Sequence, residues 1–202
     1  EIVRPHIAVI TNIAPAHLKY HESLENIAHR KARIFSGMPL GAMAVLFSDM
    51  PFYDVFIKAA QQAGVQFISF GESRSADISL RSLTKEEMEV CYFGESIKLK
   101  AFSHDRRDVY NFLAVLGVLR SLNLELAPGD GRFHGFVPVQ GRNQQHRVEK
   151  NNHEFLLIDD AYNANPLSME MALKSLNKKN HKKLLILGDM LELGADSKHF
   201  HE

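Results

Sequence analysis

Residues 11–35, TNIAPAHLKYHESLENIAHRKARIF, predict the strand–loop–helix unit from which an α/β fold follows. The preceding residues 7–10, IAVI, are typical of a buried strand. Ser23 is suited to cap the helix that comes next. Its apolar positions recur at spacings of three and four and mark one buried face: Leu24, Ile27, Ala28, Ile34 and Phe35. Because open α/β sheets bind ligands at the carboxyl ends of their strands, the loop 12–17 is the first candidate site.

Lys31 falls on the same apolar face of this predicted helix, seven residues after Leu24 and three before Ile34. One interpretation is that its stem packs while its ammonium reaches water, and the spacing alone favours this. The other is that the amine is kept from water, which favours its neutral, nucleophilic form. A neutral amine can add carbon dioxide to become a carbamate, and His17 could then share a metal ion with it.

Two further apolar runs and the segment between them predict a parallel sheet. Strand, helix and strand are expected at residues 42–47, 53–63 and 65–70. Residues 76–83, 87–93 and 96–101 then alternate apolar and polar side chains, which indicates an antiparallel extension with one solvated face. A helix over residues 106–122 follows, and its predicted buried face consists of Val109, Phe112, Leu113, Leu116 and Leu119.

Residues 123–142 are rich in glycine and proline and are the candidate linker. The chain is therefore expected to divide into residues 1–142, with the mostly parallel sheet, and residues 143–202, which begin a second, Rossmann-like α/β domain. Within the second part, the sequence predicts a hairpin formed by residues 144–149 and 154–159. It also predicts a helix at residues 166–178 and a buried strand at residues 183–187 (KLLIL).

Residues 156–166, LLIDDAYNANP, form a second candidate site. A strand ends in Asp159 and Asp160, a polar loop follows, and Asn165 with Pro166 is typical of a helix start. An acid at a strand end can bind a ribose diol, and a helix N-terminus favours anions. By spacing alone, an ordinary strand-to-helix turn explains the pattern better.

Three stretches together resemble the Mur ligases, ATP-dependent amide ligases of cell-wall precursor synthesis. They are Lys31-Ala32-Arg33-Ile34-Phe35, the run DDAYNANP at 159–166, and GDMLELG at 188–194, which marks one branch of the family. The resemblance implies that His17 is a magnesium ligand. It also implies that Lys31 is carbamylated and holds a metal, so that both are catalytic.

The same resemblance implies a nucleotide site. Asp160 would contact the ribose of ATP, and Arg142 would reach the phosphates when the domains close. Asn163 and Asn165 would lie near phosphate or substrate. On the helix that begins near residue 106, Asp108 stands where the family usually has an asparagine that helps bind adenine, and Asn111 matches the second asparagine of that pattern. An aspartate can accept a hydrogen bond from the adenine amino group but cannot donate one.

The resemblance implies a carboxylate–amine ligase that uses ATP and Mg²⁺ and works through an acyl phosphate. Its substrates would be a UDP-linked muramoyl peptide and a D-alanyl-D-alanine type dipeptide. The sequence has no G-x-x-x-x-G-K-[ST] loop, which such ligases use to cradle phosphates. We therefore expect a piece of a longer enzyme, lacking the N-terminal domain and inactive by itself.

Composition sets further expectations. Lysine plus arginine and aspartate plus glutamate both number 24, which gives no support for a nucleic-acid surface. A single cysteine excludes an internal disulfide and fits a reducing compartment. No run approaches the ~18 apolar residues of a membrane span. We expect a monomer in the bacterial cytoplasm.

Two alternatives remain open at this point. One is a related amide ligase with another carboxylate, of the folylpolyglutamate or poly-amino-acid type; Asp108 keeps it in consideration, while Asn163 with Asn165 and residues 188–194 argue against it. The other is a non-catalytic binding protein on a degenerate ligase fold.

Overall fold

The structure is a computed structural model that describes residues 3–14, 23–124, 139–194 and 197–202. It contains two compact units. We call unit 1 the part within residues 1–13 and 23–133, and unit 2 the part within residues 14–22 and 134–202. The sequence-based division at residue 142 stays a prediction.

Unit 1 is organised around one six-stranded sheet whose strands are paired in chain order. The strands are β1 Ile7–Ile10, β2 Met43–Phe47, β3 Gln66–Gly71, β4 Ile78–Leu83, β5 Glu87–Tyr92 and β6 Glu95–Lys100. The first four are mutually parallel, and β4, β5 and β6 are antiparallel. This confirms the predicted mostly parallel sheet with an antiparallel extension.

The junction between the two halves of the sheet was not predicted. Parallel neighbours normally need a crossover of roughly a dozen residues or more. Strands β3 and β4 are joined by a much shorter segment and pair only through Phe70 with Ile78 and Gly71 with Ser79. The strands are thus staggered, with β4 starting beside the last residues of β3, so a short connection suffices.

Helices cover the parallel part of unit 1. They are α1 Leu24–Ala32, which continues into a 3-10 helix at Arg33–Gly37, α2 Tyr53–Gln62 and α3 Arg106–Ser121. Helix α3 packs along β1 to β4, while α2 packs on β2 and β3 and contacts α1. The core between these layers includes the fully buried Phe35, Phe56, Phe70 and Leu113. Of the predicted face of α3, Val109, Phe112, Leu113 and Leu116 are buried, and Leu119 is half-buried.

Unit 2 begins with an antiparallel hairpin, β7 Gln144–Lys150 and β8 His153–Asp159. Asn151 and Asn152 make the two-residue turn, both with positive φ, as a primed turn requires. Helices α4 Pro166–Asn177 and α5 Ser197–His201 follow. The hairpin and α4 agree with the sequence-based prediction.

The predicted buried strand at residues 183–187 is wrong. Among the described residues this segment has no strand partner, and the leucines and isoleucine at 184–187 are 49–88% exposed. An apolar run becomes a buried strand only where neighbours supply both backbone pairing and a covering layer. No helix among the described residues is long and apolar enough to cross a membrane.

Candidate functional site

Helix α1 forms as its sequence predicts, but Lys31 is not buried. Ser23 caps the helix by accepting a hydrogen bond from the Asn26 N–H at 3.1 Å. Ile27, Ala28 and Ala32 face the core, whereas the side chain of Lys31 is exposed. The expectation that its amine is kept from water is therefore wrong for this chain.

The physical reason is that helical spacing gives the direction of a side chain and not what covers it. Viewed down the helix axis, the Lys31 side chain projects between those of Ile27 and Ala28, but it belongs to the last turn of α1. The chain then tightens into the 3-10 helix, and Phe35 of that segment takes the next buried position. A long lysine side chain at such an end extends into solvent.

The second member of the predicted metal pair, His17, lies outside the described residues. Within the part of the chain that the structure describes, no group of three or more histidine, cysteine, aspartate or glutamate side chains could hold a metal ion. The described residues alone therefore do not form a magnesium site.

The structure brings two other predicted site residues, Arg142 and Asp160, into one pair of loops in unit 2. The loop before β7 and the loop after β8 are joined by a hydrogen bond from the Tyr162 N–H to the Gly141 carbonyl, at 3.0 Å. The Asn143 N–H donates to Asp160 Oδ1 at 2.9 Å. The Arg142 guanidinium lies over the Tyr162 ring, 4.3 Å from its centroid, in a cation–π contact.

Gly141 makes this close approach possible. Its φ is +73°, and a Cβ on it would lie 3.1 Å from the backbone nitrogen of Tyr162. A larger residue would be strained there and would push the two loops apart. The arrangement thus presents an exposed cation, Arg142, and a half-buried carboxylate, Asp160, from neighbouring loops. A nucleotide needs such groups for its phosphates and its ribose diol.

Asn163 and Asn165 have local backbone partners. Asn163 Oδ1 accepts from the Ala164 N–H at 2.8 Å. Asn165 is the N-cap of α4 and forms a capping box with Ser168, with Pro166 at the helix start, as the sequence predicts. The structure accounts for Asn165 without a ligand, and the nucleotide role of both asparagines stays a prediction.

Asp108 and Asn111 lie in the first two turns of α3, but their environments differ. Asp108 is half-buried and accepts a hydrogen bond from the Ser103 hydroxyl at 2.6 Å, whereas Asn111 is exposed. The two side chains therefore differ in how far they are open to solvent. Part of the acceptor capacity of Asp108 is already used within the protein.

Sequence reasoning missed a cluster at the carboxyl ends of β2 and β3. It consists of Asp49, Glu72, Arg106 and Tyr110, which we call the edge cluster. Burial raises the pKa of the Tyr110 phenol above its ordinary value of 10.0. A phenol with the ordinary pKa is already protonated at neutral pH and can donate a hydrogen bond. The signal in the sequence was that Asp49 and Glu72 each follow the end of a predicted parallel strand.

Both parts of the chain match models of known protein domains. Residues 1–119 match the Mur ligase middle domain, and residues 141–202 match the glutamate ligase domain of Mur ligases. The chain belongs to the Mur ligase family. The family resemblance read from the sequence is thereby confirmed, as are the fold class and the Mur-type second domain.

Similar proteins of this family are named ligases. The UDP-N-acetylmuramoyl-tripeptide–D-alanyl-D-alanine ligase of Rickettsia prowazekii is 29% identical, over 100% of this chain and 45% of its own length. MurF from Acinetobacter baumannii is 27% identical with a TM-score of 0.86, over 99% of this chain and 43% of that one. MurF ligase from Thermotoga maritima in complex with ADP has a TM-score of 0.81 at 27% identity, over 99% of this chain and 45% of that one. The chain thus spans less than half the length of these relatives.

Proposed function

We propose that the whole protein is an ATP-dependent ligase that joins a D-alanyl-D-alanine type dipeptide to a UDP-linked muramoyl peptide. The observation that carries this proposal is the pair of loops in unit 2 that presents Arg142 and Asp160 together. Support comes from the match to both Mur ligase domains and from relatives whose names state this reaction.

The reaction has two steps. A carboxylate oxygen of the muramoyl peptide attacks the γ-phosphorus of ATP and displaces ADP, which gives an acyl phosphate. The amine of the dipeptide then attacks the acyl carbon, loses a proton, and displaces inorganic phosphate to form the amide. Phosphoryl transfer depends mainly on positioning and charge neutralisation. In this scheme Asp160 accepts hydrogen bonds from the ribose hydroxyls, Arg142 binds phosphate oxygens, and Asn111 contacts the nucleotide.

Mg²⁺ belongs to the proposal as well, with His17 and the carbamate of Lys31 as its ligands on this chain. When bound, it would neutralise charge on the transferred phosphoryl group. The role of Lys31 rests on its place in the Lys-x-x-Ile-Phe pattern of the family and no longer on burial within this chain. We further propose a monomer in the bacterial cytoplasm, with no nucleic-acid or membrane partner.

The deciding experiment is a ligation assay on the whole protein. It measures phosphate release and amide formation with ATP, a UDP-muramoyl tripeptide and D-alanyl-D-alanine, alongside a panel that includes folate with glutamate. The proposal is supported if amide forms with the UDP-muramoyl tripeptide and D-alanyl-D-alanine and with no other pair. Preference for folate would indicate the folylpolyglutamate alternative, and no turnover with any pair would indicate a binding protein.

Arg142 offers a matched test within the same unit. Arg142→Ala should lower kcat/KM for ATP by roughly a hundredfold, since a charge-assisted contact to phosphate is lost. Arg147→Ala is the control, because Arg147 is exposed and pairs with Glu154 on the hairpin, at 3.3 Å. Equal effects of the two substitutions would contradict the assignment of Arg142.

Lys31 and His17 are tested in the same assay. Lys31→Ala should abolish most activity, and added formate or acetate should restore part of it by replacing the carbamate. His17→Ala should lower kcat strongly and change the dependence on magnesium. Unchanged activity of the lysine variant would remove the carbamate from the proposal.

A further inference from the structure

The edge cluster links the carboxyl ends of β2 and β3 in unit 1, and it also contacts the start of α3. The Asp49 carboxylate, which follows β2, accepts from the Glu72 N–H at 2.5 Å and from the Ser73 N–H at 3.2 Å. A Cβ at Gly71 would clash with the Asp49 carboxylate and the Ser48 hydroxyl, so a larger residue there would displace the Asp49 side chain. The backbone that carries Glu72 is therefore held closely at the carboxyl end of β3.

From this position Glu72 holds the start of α3. Its carboxylate accepts a hydrogen bond from the Tyr110 hydroxyl at 2.5 Å and pairs with the Arg106 guanidinium. Arg106 and Tyr110 are one helical turn apart, so a single carboxylate grips two successive turns on one side of the helix. The Tyr110 ring also packs on Phe47, the last residue of β2, with centroids 5.0 Å apart.

The exposure of the Glu72–Arg106 ion pair indicates that its role is to position the helix and not to stabilise the fold. The Arg106 side chain is 50% exposed and that of Glu72 is 38% exposed. Ion pairs this close to solvent contribute little to overall stability. Helix α3 is instead held on the sheet by its buried apolar face. What Glu72 adds is directional: it fixes the rotation and tilt of the first two turns.

We propose that Glu72 is a positioning residue for the nucleotide, acting through Tyr110 and Arg106 to set where α3 presents Asn111. Asn111 follows Tyr110 directly and is exposed, so a rotation of the first turns displaces its amide. The cluster lies at the carboxyl edge of the parallel strands, where open α/β sheets bind ligands. This inference rests on the proposed function, since it takes ATP as the ligand.

The first test is steady-state kinetics of the whole protein. Glu72→Ala should raise KM for ATP roughly three- to tenfold with kcat within about twofold, because nucleotide binding is weakened throughout the reaction. Glu72→Gln should keep much of the wild-type KM, since its amide oxygen still accepts from Tyr110. Adding Tyr110→Phe to Glu72→Ala should change little further, because the two residues act as one unit.

The control is Asp54→Ala, which removes a more exposed ion pair on α2, between Asp54 and Lys58 at 3.4 Å. It should leave KM for ATP unchanged. Hydrogen exchange of the 202-residue chain gives an independent readout: Glu72→Ala should speed exchange of the amides at residues 109–113 and leave the rest of α3 unchanged.

The outcomes separate the two proposals. A wild-type protein without ATP-dependent ligation would overturn the proposed function, and the nucleotide role of Glu72 with it. An active wild type whose KM for ATP is unaffected by Glu72→Ala would overturn this inference alone. So would a uniform loss of kcat with faster exchange throughout unit 1, since that is the signature of a purely structural residue.

Discussion

Two apolar runs of similar composition differ in burial: one forms a buried strand and the other is exposed. Met43–Phe47, MAVLF, forms β2 of unit 1, and all of it except Met43 is buried. Residues 183–187, KLLIL, in unit 2 have no regular secondary structure and are exposed. Strand β2 has β1 and β3 as hydrogen-bonded neighbours and α2 and α3 packed on it. The second run has no strand partner among the described residues, so an apolar run predicts a capacity for burial rather than burial itself.

The helices repeat this contrast. Helix α3 of unit 1 buries six residues, whereas α4 of unit 2 buries none. Isolated helices of about 12 residues are marginal in water, and most gain their stability from packing of an apolar face. Within the described part of unit 2, α4 therefore depends on its capping box and Pro166. Stability should be mainly tertiary in unit 1 and mainly local in unit 2.

The largest effect should come from the core of unit 1. Phe56 is fully buried and meets Phe35 edge-to-face with centroids 6.5 Å apart, so Phe56→Ala should lower the free energy of unfolding by about 3–5 kcal/mol. Ile186→Ala in unit 2 is the comparison, since Ile186 is 88% exposed and should change stability by less than about 0.5 kcal/mol. Urea unfolding with peptide-level hydrogen exchange reports each unit separately. Equal losses at the two positions would break the contrast.

Close packing of α3 on β2 gives the second prediction. A Cβ on Gly117 would lie 2.6 Å from Val45 Cγ1, and Val45 is fully buried. Overpacking should cost about 1–3 kcal/mol, partly offset by the better helix propensity of alanine, for a net loss of about 1 kcal/mol. Gly188→Ala is the control, because no atom of the described residues lies within 4 Å of its Cβ position.

A second substitution distinguishes overpacking from other causes. If the clash with Val45 is the reason, the double variant Gly117→Ala with Val45→Ala should show a smaller loss than the sum of the single variants. If the losses in the free energy of unfolding are additive, the effect of Gly117→Ala does not come from a clash with Val45.

Periodicity and turn chemistry predicted most of the fold, because both are local. The hairpin around Asn151 and the cap at Asn165 depend on residues adjacent in sequence. What failed depends on distant neighbours: the exposure of Lys31 and the stagger between β3 and β4. For the candidate site, the sequence pointed to Arg142 and Asp160, which one loop pair does bring together. It did not reveal Glu72, whose contact with Tyr110 spans 38 positions.

Local stabilisation of unit 2 gives the third prediction. Asn165 accepts from the Ser168 N–H at 2.9 Å, and its own N–H donates to the Ser168 hydroxyl at 3.0 Å. Asn165→Ala should therefore destabilise α4 by about 1 kcal/mol, whereas Asn165→Asp should retain the cap. Hydrogen exchange of α4 measures this. An unprotected α4 in the wild-type chain would show that capping alone does not hold the helix.

The smallest effect concerns alkaline pH and again separates the units. Burial raises the pKa of Tyr53 and of Tyr110, both in unit 1, above the ordinary value of 10.0. The folded state then binds protons more tightly than the unfolded state, so this stability is fully present below about pH 10 and is lost as pH rises through the folded values. Between about pH 9 and 11, the variant with Tyr53→Phe and Tyr110→Phe should lose less of the stability of unit 1 than the wild type does. Lysine titration affects both proteins alike and cancels in this comparison. An equal loss in both would show that desolvated phenols do not contribute to the alkaline sensitivity of the packed unit.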